Sequence, residues 1–263
     1  MTAGGGPASS LTVIGTGIDA GSHLTPQARV AFEEADEALY LVADPIAAAW
    51  LEELNPRARS LHDFYELKEP RLDAYERMVD AILGPVRAGR DVCAAFYGHP
   101  GVFVHPGHES VKRARREGFR ASMLPGISSL DCLFADLGVD PGVTGCAIYH
   151  ATEFLARRAR PDPSATLVLL QISVIGERRH VEQPDWSRLS VLVDYLSQFY
   201  PVDHEVIAYE ASPFPVAGPL VKRMPLSSVA EAELTAGMTL VVPPATAPVL
   251  DATMLDRLGL PRP

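Results

Sequence analysis

Cysteine is scarce in this chain. The three present, Cys93, Cys132 and Cys146, are far apart and form no CxxC pair. That excludes a disulfide framework and an ordinary structural zinc site, and it points to a reducing cytoplasm. Long apolar runs are also missing. No stretch reaches the ~18 residues that a membrane-spanning helix needs. Excess positive charge is absent: 23 Lys+Arg against 33 Asp+Glu leave a formal charge of −10, which argues against a general nucleic-acid binder. The one basic run, Lys112, Arg113, Arg115, Arg116 and Arg120, reads as a solvated helix face. Residues 1–10 are small and Gly-rich without a basic-then-apolar signature, so they read as a disordered lead-in, not a signal peptide. No repeat of roughly 20–50 residues is visible, which excludes a solenoid. A soluble, cytoplasmic protein that touches neither membrane nor nucleic acid is the expectation.

What is present is enough apolar material for a large core. Hydrophobic residues are 47% and charged residues 21% of 263, a length that suits two compact lobes or one large α/β unit. A strand at Leu11–Ile14 runs into Gly15-Thr16-Gly17. Thr25-Pro26 then opens a helix to about Ala35, with a capping hydroxyl followed by a proline. Strand is expected at Glu37–Val42, helix from Pro70 with Tyr75, Val79, Ile82 and Val86 on one face, strand at Val92–Tyr97, helix over about Ser110–Glu117 and strand at Phe119–Leu124. This alternation specifies an α/β fold with largely parallel pairing. Beyond Gly126 the texture changes. Strands at Thr166–Gln171, Glu205–Tyr209 and Thr239–Val242, a helix at Leu189–Phe199, and loops broken by Pro161, Pro163, Pro213, Pro215 and Pro219 predict a second lobe with more antiparallel pairing. The expected division is 11–125 and 126–263.

Three segments are candidates for chemistry. The first glycine turn has the pattern GxGxxxG, not the GxGxxG of dinucleotide sites, and only Asp44 stands near the expected acidic position; it reads as a tight strand-to-helix turn. The second, Phe96-Tyr97-Gly98-His99-Pro100-Gly101-Val102-Phe103, ends a buried strand where open α/β sheets bind ligands, which would aim Tyr97 and His99 at a crevice. His99, His105 and His108 have no carboxylate or cysteine at ligand spacing and read as surface histidines, with no metal expected. Third, Arg71 and Tyr75 share a helix face and Tyr65 sits on the loop before it. A neighbouring guanidinium favours a phenolate, so the set suits proton handling. From spacing alone the plainer reading, a core tyrosine beside a snorkelling arginine, is favoured.

Taken in order, Gly15-Thr16-Gly17 with Leu24-Thr25, Tyr97-Gly98-His99-Pro100-Gly101-Val102-Phe103, Leu124-Pro125-Gly126-Ile127-Ser128-Ser129 and Leu169-Leu170-Gln171 resemble the tetrapyrrole methylase superfamily over about Leu11–Pro244. His99, where many tetrapyrrole enzymes carry aspartate, Cys132-Leu133-Phe134-Ala135-Asp136-Leu137 with Asp140-Pro141, and Tyr65, Arg71 and Tyr75 at matching spacing narrow the likeness to borosin-type peptide backbone α-N-methyltransferases. The resemblance implies a two-lobed class III methyltransferase fold with S-adenosylmethionine between the lobes, no metal, and methylation of backbone amides of a ribosomal precursor peptide. Many fungal relatives carry that peptide as their own tail. This chain ends soon after its last strand, so the split type, acting on a separate precursor, is expected, as a homodimer and as a two-by-two complex with the precursor.

The same resemblance assigns roles by position. Tyr75 matches a proposed base assisted by Arg71, Tyr65 a phenol lining the same pocket, and Tyr97 a residue at both methyl donor and substrate. His99, Val102, Phe103, Ser129 and Gln171 match cofactor contacts, as do Tyr209, Ala211, Met238 and Thr239 in looser segments. Two other readings compete: a precorrin-type small-molecule methylase, and a catalytically silent scaffold that binds cofactor or peptide. The tyrosine and arginine set argues against both.

Overall fold

The computed structural model describes residues 9–66, 68–214 and 216–261. The lead-in expected at 1–10 lies outside the described residues as far as residue 8; Ser10 already opens the first strand. The chain forms two compact units. The first runs as far as Gly138 and also takes in Glu177–Gln183 and Ala211–Pro219; the second comprises Val139–Gly176, Pro184–Glu210 and the chain from Leu220 onward.

In the first unit, strands β1 (Ser10–Gly15), β2 (Glu37–Leu41), β3 (Arg59–Ser60), β4 (Val92–Phe96) and β5 (Arg120–Met123) form one parallel sheet in the order β3-β2-β4-β1-β5. Its helices are α1 (Ala20–His23), α2 (Pro26–Glu34), α3 (Pro45–Leu54), α4 (Arg71–Arg87), α5 (His105–Arg116) and α6 (Ser129–Leu137). Successive side chains of a strand point to opposite faces. Accordingly Ile14, Tyr40, Cys93 and Ala95 pack with Phe32 of α2 and Leu51 of α3, while Leu11, Val13, Leu39, Ala94 and Phe96 pack with Met78, Val79 and Ile82 of α4 and Val111 of α5. Both faces are covered, which is why β4 has no exposed residue.

Local chemistry sets the helix ends. Thr25 caps α2 as expected, its hydroxyl accepting from the Ala28 N–H at 3.2 Å. Asp44-Pro45 repeats the same signal and opens α3, a helix the sequence reading passed over, with Asp44 accepting from the Ile46 N–H at 2.9 Å. Helix α5 starts at His105, five residues before the expected Ser110, so Pro106-Gly107 is its first turn and not a loop. Proline is tolerated there because its missing N–H would have no partner within the helix.

The second unit holds α7 (Pro141–Thr144), β6 (Cys146–His150), α8 (Ala151–Ala156), β7 (Thr166–Leu170), α9 (Leu189–Leu196), β8 (Glu205–Glu210), β9 (Leu220–Pro225), β10 (Thr239–Val242) and α10 (Ala252–Leu258). Its sheet runs β6-β7-β10-β8-β9. Only β6–β7 is parallel; the other three pairings are antiparallel, the change of texture anticipated from the proline-broken loops. No helix among the described residues is long and apolar enough to cross a membrane.

The turns that leave β1 and β4 meet closely. Gly17 donates to the Gly98 carbonyl at 3.2 Å and Gly98 returns a bond to Gly17 at 3.0 Å. A Cβ on Gly15 would overlap the Gly98 carbonyl and lie 2.7 Å from Pro100 Cδ, and Gly98 itself sits at φ +73°. Gly15→Ala is therefore expected to lower stability by about 1–3 kcal/mol through overpacking. Gly84→Ala in α4, where no atom lies within 4 Å of the added methyl, is expected to be neutral or to stabilise by up to about 1 kcal/mol. Urea unfolding of the two variants checks both.

Candidate active site

The first cluster of expected site residues lies at the carboxyl ends of β1, β4 and β5. The helices after β1 and β4 go to opposite faces of the sheet, the arrangement that opens a crevice in α/β proteins. Tyr97 follows β4 directly, its N–H bonded to the Leu41 carbonyl at 3.1 Å, yet its side chain is 47% exposed. His99 Nδ1 accepts from the Gly101 N–H at 2.9 Å and the His99 carbonyl accepts from Val102 at 3.0 Å, so the loop is braced by its own groups. Phe103, half exposed, sits at φ +56°. A bulky residue in the left-handed region costs of order 1–3 kcal/mol and is retained where the surroundings fix it, often at a functional position. Ser129 opens α6 behind a capping box, Ser128 accepting from Asp131 N–H and Asp131 from Ser128 N–H at 2.7 Å.

The second cluster is aromatic. Tyr65 and Tyr75 meet edge to face, ring centres 6.2 Å apart. Tyr65 stacks on His180 at 4.7 Å with only 17° between planes, His62 meets its edge at 5.6 Å, and Tyr75 stacks on His105 at 5.7 Å. Segment 177–183 is held against the start of α4 by a short ladder: Lys68 N–H to the His180 carbonyl, His180 N–H to the Glu69 carbonyl and Arg71 N–H to the Arg178 carbonyl, each 2.9 Å. Helix α4 begins after Pro70 with no side-chain cap. The Arg178 carbonyl thus takes a donor that a helix start otherwise leaves free. Arg77 fastens the preceding loop, donating to the Phe64 carbonyl and to Glu69, both at 2.9 Å.

Electrostatics distinguish the phenols. Burial pushes the Tyr65 phenol well above its ordinary value; Tyr75 beside it, by charge and by hydrogen bonding, adds to the rise, and Arg71 opposes it. Arg71 therefore acts in the direction expected from the sequence, but at Tyr65 burial outweighs it. The His180 imidazole is shifted the other way. Burial first, then Arg71 and His62, lower its pKa, with Glu182 opposing.

In the second unit, Gln171, Tyr209, Met238 and Thr239 gather at one end of the sheet. Thr239 pairs with Tyr209 and Leu240 with Leu169, which puts the carboxyl ends of β7 and β8 beside the amino end of β10. Gln171 has φ +61°. Tyr209 and Met238 are each 1% exposed and Thr239 is buried, so their side chains belong to the core. Ala211, also buried, belongs to the first unit. His108 Nε2 bonds the Gly101 carbonyl at 2.9 Å, and among the described residues no three His, Cys, Asp or Glu converge as metal ligands. The basic run on α5 is engaged locally: Arg113 bonds Glu76 at 2.7 Å and Glu109 at 2.9 Å.

The family model for tetrapyrrole (corrin/porphyrin) methylases matches residues 10–212. The chain belongs to this family. Among curated proteins, the chain is 39% identical over 228 residues to the methyltransferase and ribosomally synthesized cyclic peptide gymnopeptides precursor of Gymnopus fusipes, covering 86% of this chain and 54% of that protein. It is 36% identical over 258 residues to the corresponding omphalotin A precursor of Omphalotus olearius, covering 96% and 62%. The chain thus spans little more than half the length of these relatives. Among solved structures, uroporphyrin-III C-methyltransferase of Thermus thermophilus, in complex with S-adenyl homocysteine, superposes with a TM-score of 0.62 at 20% identity over 89% of this chain and 97% of that one. At that identity the likeness establishes the fold.

The sequence alone does not mark His180, His105 or His62 as neighbours of the phenols. His180 stands 115 positions from Tyr65, in a polar stretch without periodicity, so no local signal marked it. His105 was legible once Pro106 is read as a first-turn proline, because the imidazole then stands on a helix.

The raised Tyr65 pKa has a stability consequence. Below the ordinary phenol value near 10 both folded and unfolded chains keep the proton. As pH rises past it the unfolded chain ionises while folded Tyr65 does not, so stability falls toward the folded pKa. Tyr65→Phe is expected to lose less Tm than the wild type above about pH 10. Thermal melts of both proteins across that range check it; parallel curves would show that Tyr65 is not held protonated.

Proposed function

We propose that this methylase transfers methyl groups from S-adenosylmethionine to backbone amide nitrogens of a ribosomally made peptide, supplied as a separate precursor. The observation that carries the reading is the Tyr65–Tyr75 pair on α4 and its leading loop, with Arg71 one helical turn from Tyr75. The printed names of the two curated relatives join methyltransferase and cyclic peptide precursor, which supports the peptide substrate. A homodimer, assembling two by two with its precursor, is part of the proposal.

The residues suit the cofactor. At the carboxyl ends of β1, β4 and β5, Gly15 and Gly126 approach the Gly98 carbonyl so closely that a Cβ would fill the space. Half-exposed Tyr97 and Phe103 offer aromatic faces beside that turn, and such faces suit an adenine ring and a cationic sulfonium. We assign cofactor contacts to Tyr97, His99, Val102, Phe103, Ser129, Gln171 and Ala211, and to the main chain at Tyr209, Met238 and Thr239. When bound, S-adenosylmethionine supplies an electrophilic methyl group on sulfur.

An amide nitrogen is a poor nucleophile because its lone pair is delocalised into the carbonyl. The protein must therefore take the N–H proton and hold the charge that collects on oxygen. Tyr65, kept protonated by burial, serves as donor to the carbonyl oxygen. Tyr75, one helical turn from Arg71 on α4, takes the proton as the base. With its proton on Tyr75 and its oxygen held by Tyr65, the amide nitrogen would be ready for the methyl group that bound S-adenosylmethionine would supply. Tyr97, at the end of β4, orients the amide, since alignment carries much of such a rate. Main-chain recognition allows successive residues of an extended peptide to be presented in turn.

Co-expression with candidate precursor genes, read by intact mass and fragmentation, is expected to show +14 increments on backbone nitrogens of the partner. Tyr75→Phe is expected to reduce them by about 100-fold or more with cofactor binding retained. Increments on the methylase itself would overturn the separate precursor, and cofactor binding with no peptide shift in any pairing would overturn peptide methylation in favour of a small-molecule substrate.

A further inference from the structure

We infer that His180 is a positioning residue of the active site: stacked on the face of Tyr65, it fixes the phenol that donates to the amide oxygen. The inference rests on the proposed roles of Tyr65 and Tyr75. Among the described residues three rings contact Tyr65, and of these only His180 covers its face, at 4.7 Å and 17°; His62 and Tyr75 meet it by edges at 72° and 73°. A face-covering ring removes water from the phenol, and burial is the largest cause of its retained proton. His180 has little freedom to leave. Both its N–H and its carbonyl are committed to the ladder with Glu69 and Lys68, next to the Pro70–Arg179 bridge.

Neutrality matters as much as position. The groups that act on the imidazole are Arg71 and His62, which disfavour its cation, and Glu182, which favours it. A protonated His180 would place a second cation beside Arg71, and a charged imidazole draws water to itself, which loosens the cover over the Tyr65 face and the hold on its hydroxyl. The methyl-transfer rate should therefore fall on the acid side as His180 gains its proton. A phenyl ring in its place keeps the cover and cannot titrate. His180→Ala loses the cover, and His180→Phe keeps it.

The test uses the full chain and two readouts. In tyrosinate absorbance titrations, the phenol identified by subtracting Tyr65→Phe is expected to ionise at lower pH in His180→Ala than in the wild type, and to keep its wild-type resistance in His180→Phe. In transfer assays with the co-expressed precursor, His180→Ala is expected to lose about tenfold in kcat with an unchanged KM for S-adenosylmethionine. His180→Phe is expected to recover kcat and to lose the acid limb. An unchanged Tyr65 titration in His180→Ala would overturn the inference. So would wild-type kcat in His180→Ala while Tyr75→Phe is inactive. Absence of transfer in the wild type would instead defeat the functional reading, and the titration would still decide whether His180 holds the phenol.

Discussion

The contact on which the first unit depends is the one between two turns without side chains. Where β1 and β4 end, Gly17 and Gly98 exchange main-chain hydrogen bonds and Gly15 lies under the Gly98 carbonyl. The chains leaving the two strands then go to opposite faces of the sheet, one toward α2 and the other toward α5. Everything else at this end of the sheet follows: the half-exposed Tyr97, the braced His99–Val102 turn, and Phe103 forced into the left-handed region. Gly107, in the first turn of α5, packs where a Cβ would reach Val13 and Pro100, so the helix after β4 is seated against the same junction.

The phenol pair is built on a different principle. Its helix, α4, is anchored along its length by Met78, Val79, Ile82 and Val86 in the core, but its start has no cap of its own. The ladder with segment 177–183 supplies one, and the same ladder brings an imidazole to Tyr65. Structural support and chemical environment thus come from the same seven residues. Burial raises the phenol and lowers the imidazole because it disfavours whichever form is charged, so stacking the two keeps both neutral.

Much of this was legible in the sequence because the signals are local. The alternation of apolar strands and capped helices gave β1, α2, β2, α4, β4 and β5 within a residue or two, and the Tyr97–Phe103 loop identified itself by ending a buried strand with Gly-x-Pro-Gly. The resemblance to methylases brought Tyr65 and Tyr75 together, and their rings do touch. Short or exposed elements escaped. β9 is almost wholly exposed and β6 has no alternation to read, and the first turn of α5 is hidden because it contains Pro106 and Gly107. What no window of sequence carries is a partner more than a hundred residues away, and His180 is one.

That distance also sets an order of assembly. The five strands of the first sheet lie within residues 10–123, so their pairing needs nothing further along the chain. The start of α4 is different: Arg71 and Lys68 find their partners only at Arg178 and His180, beyond β6, α8 and β7. A chain growing from its amino end can finish that sheet and still lack the last ring of its phenol site until the second sheet is under way. Closing so long a loop adds little entropy per extra residue, but it delays the contact in time. All five strands of the platform are thus made before the segment that completes the site on it.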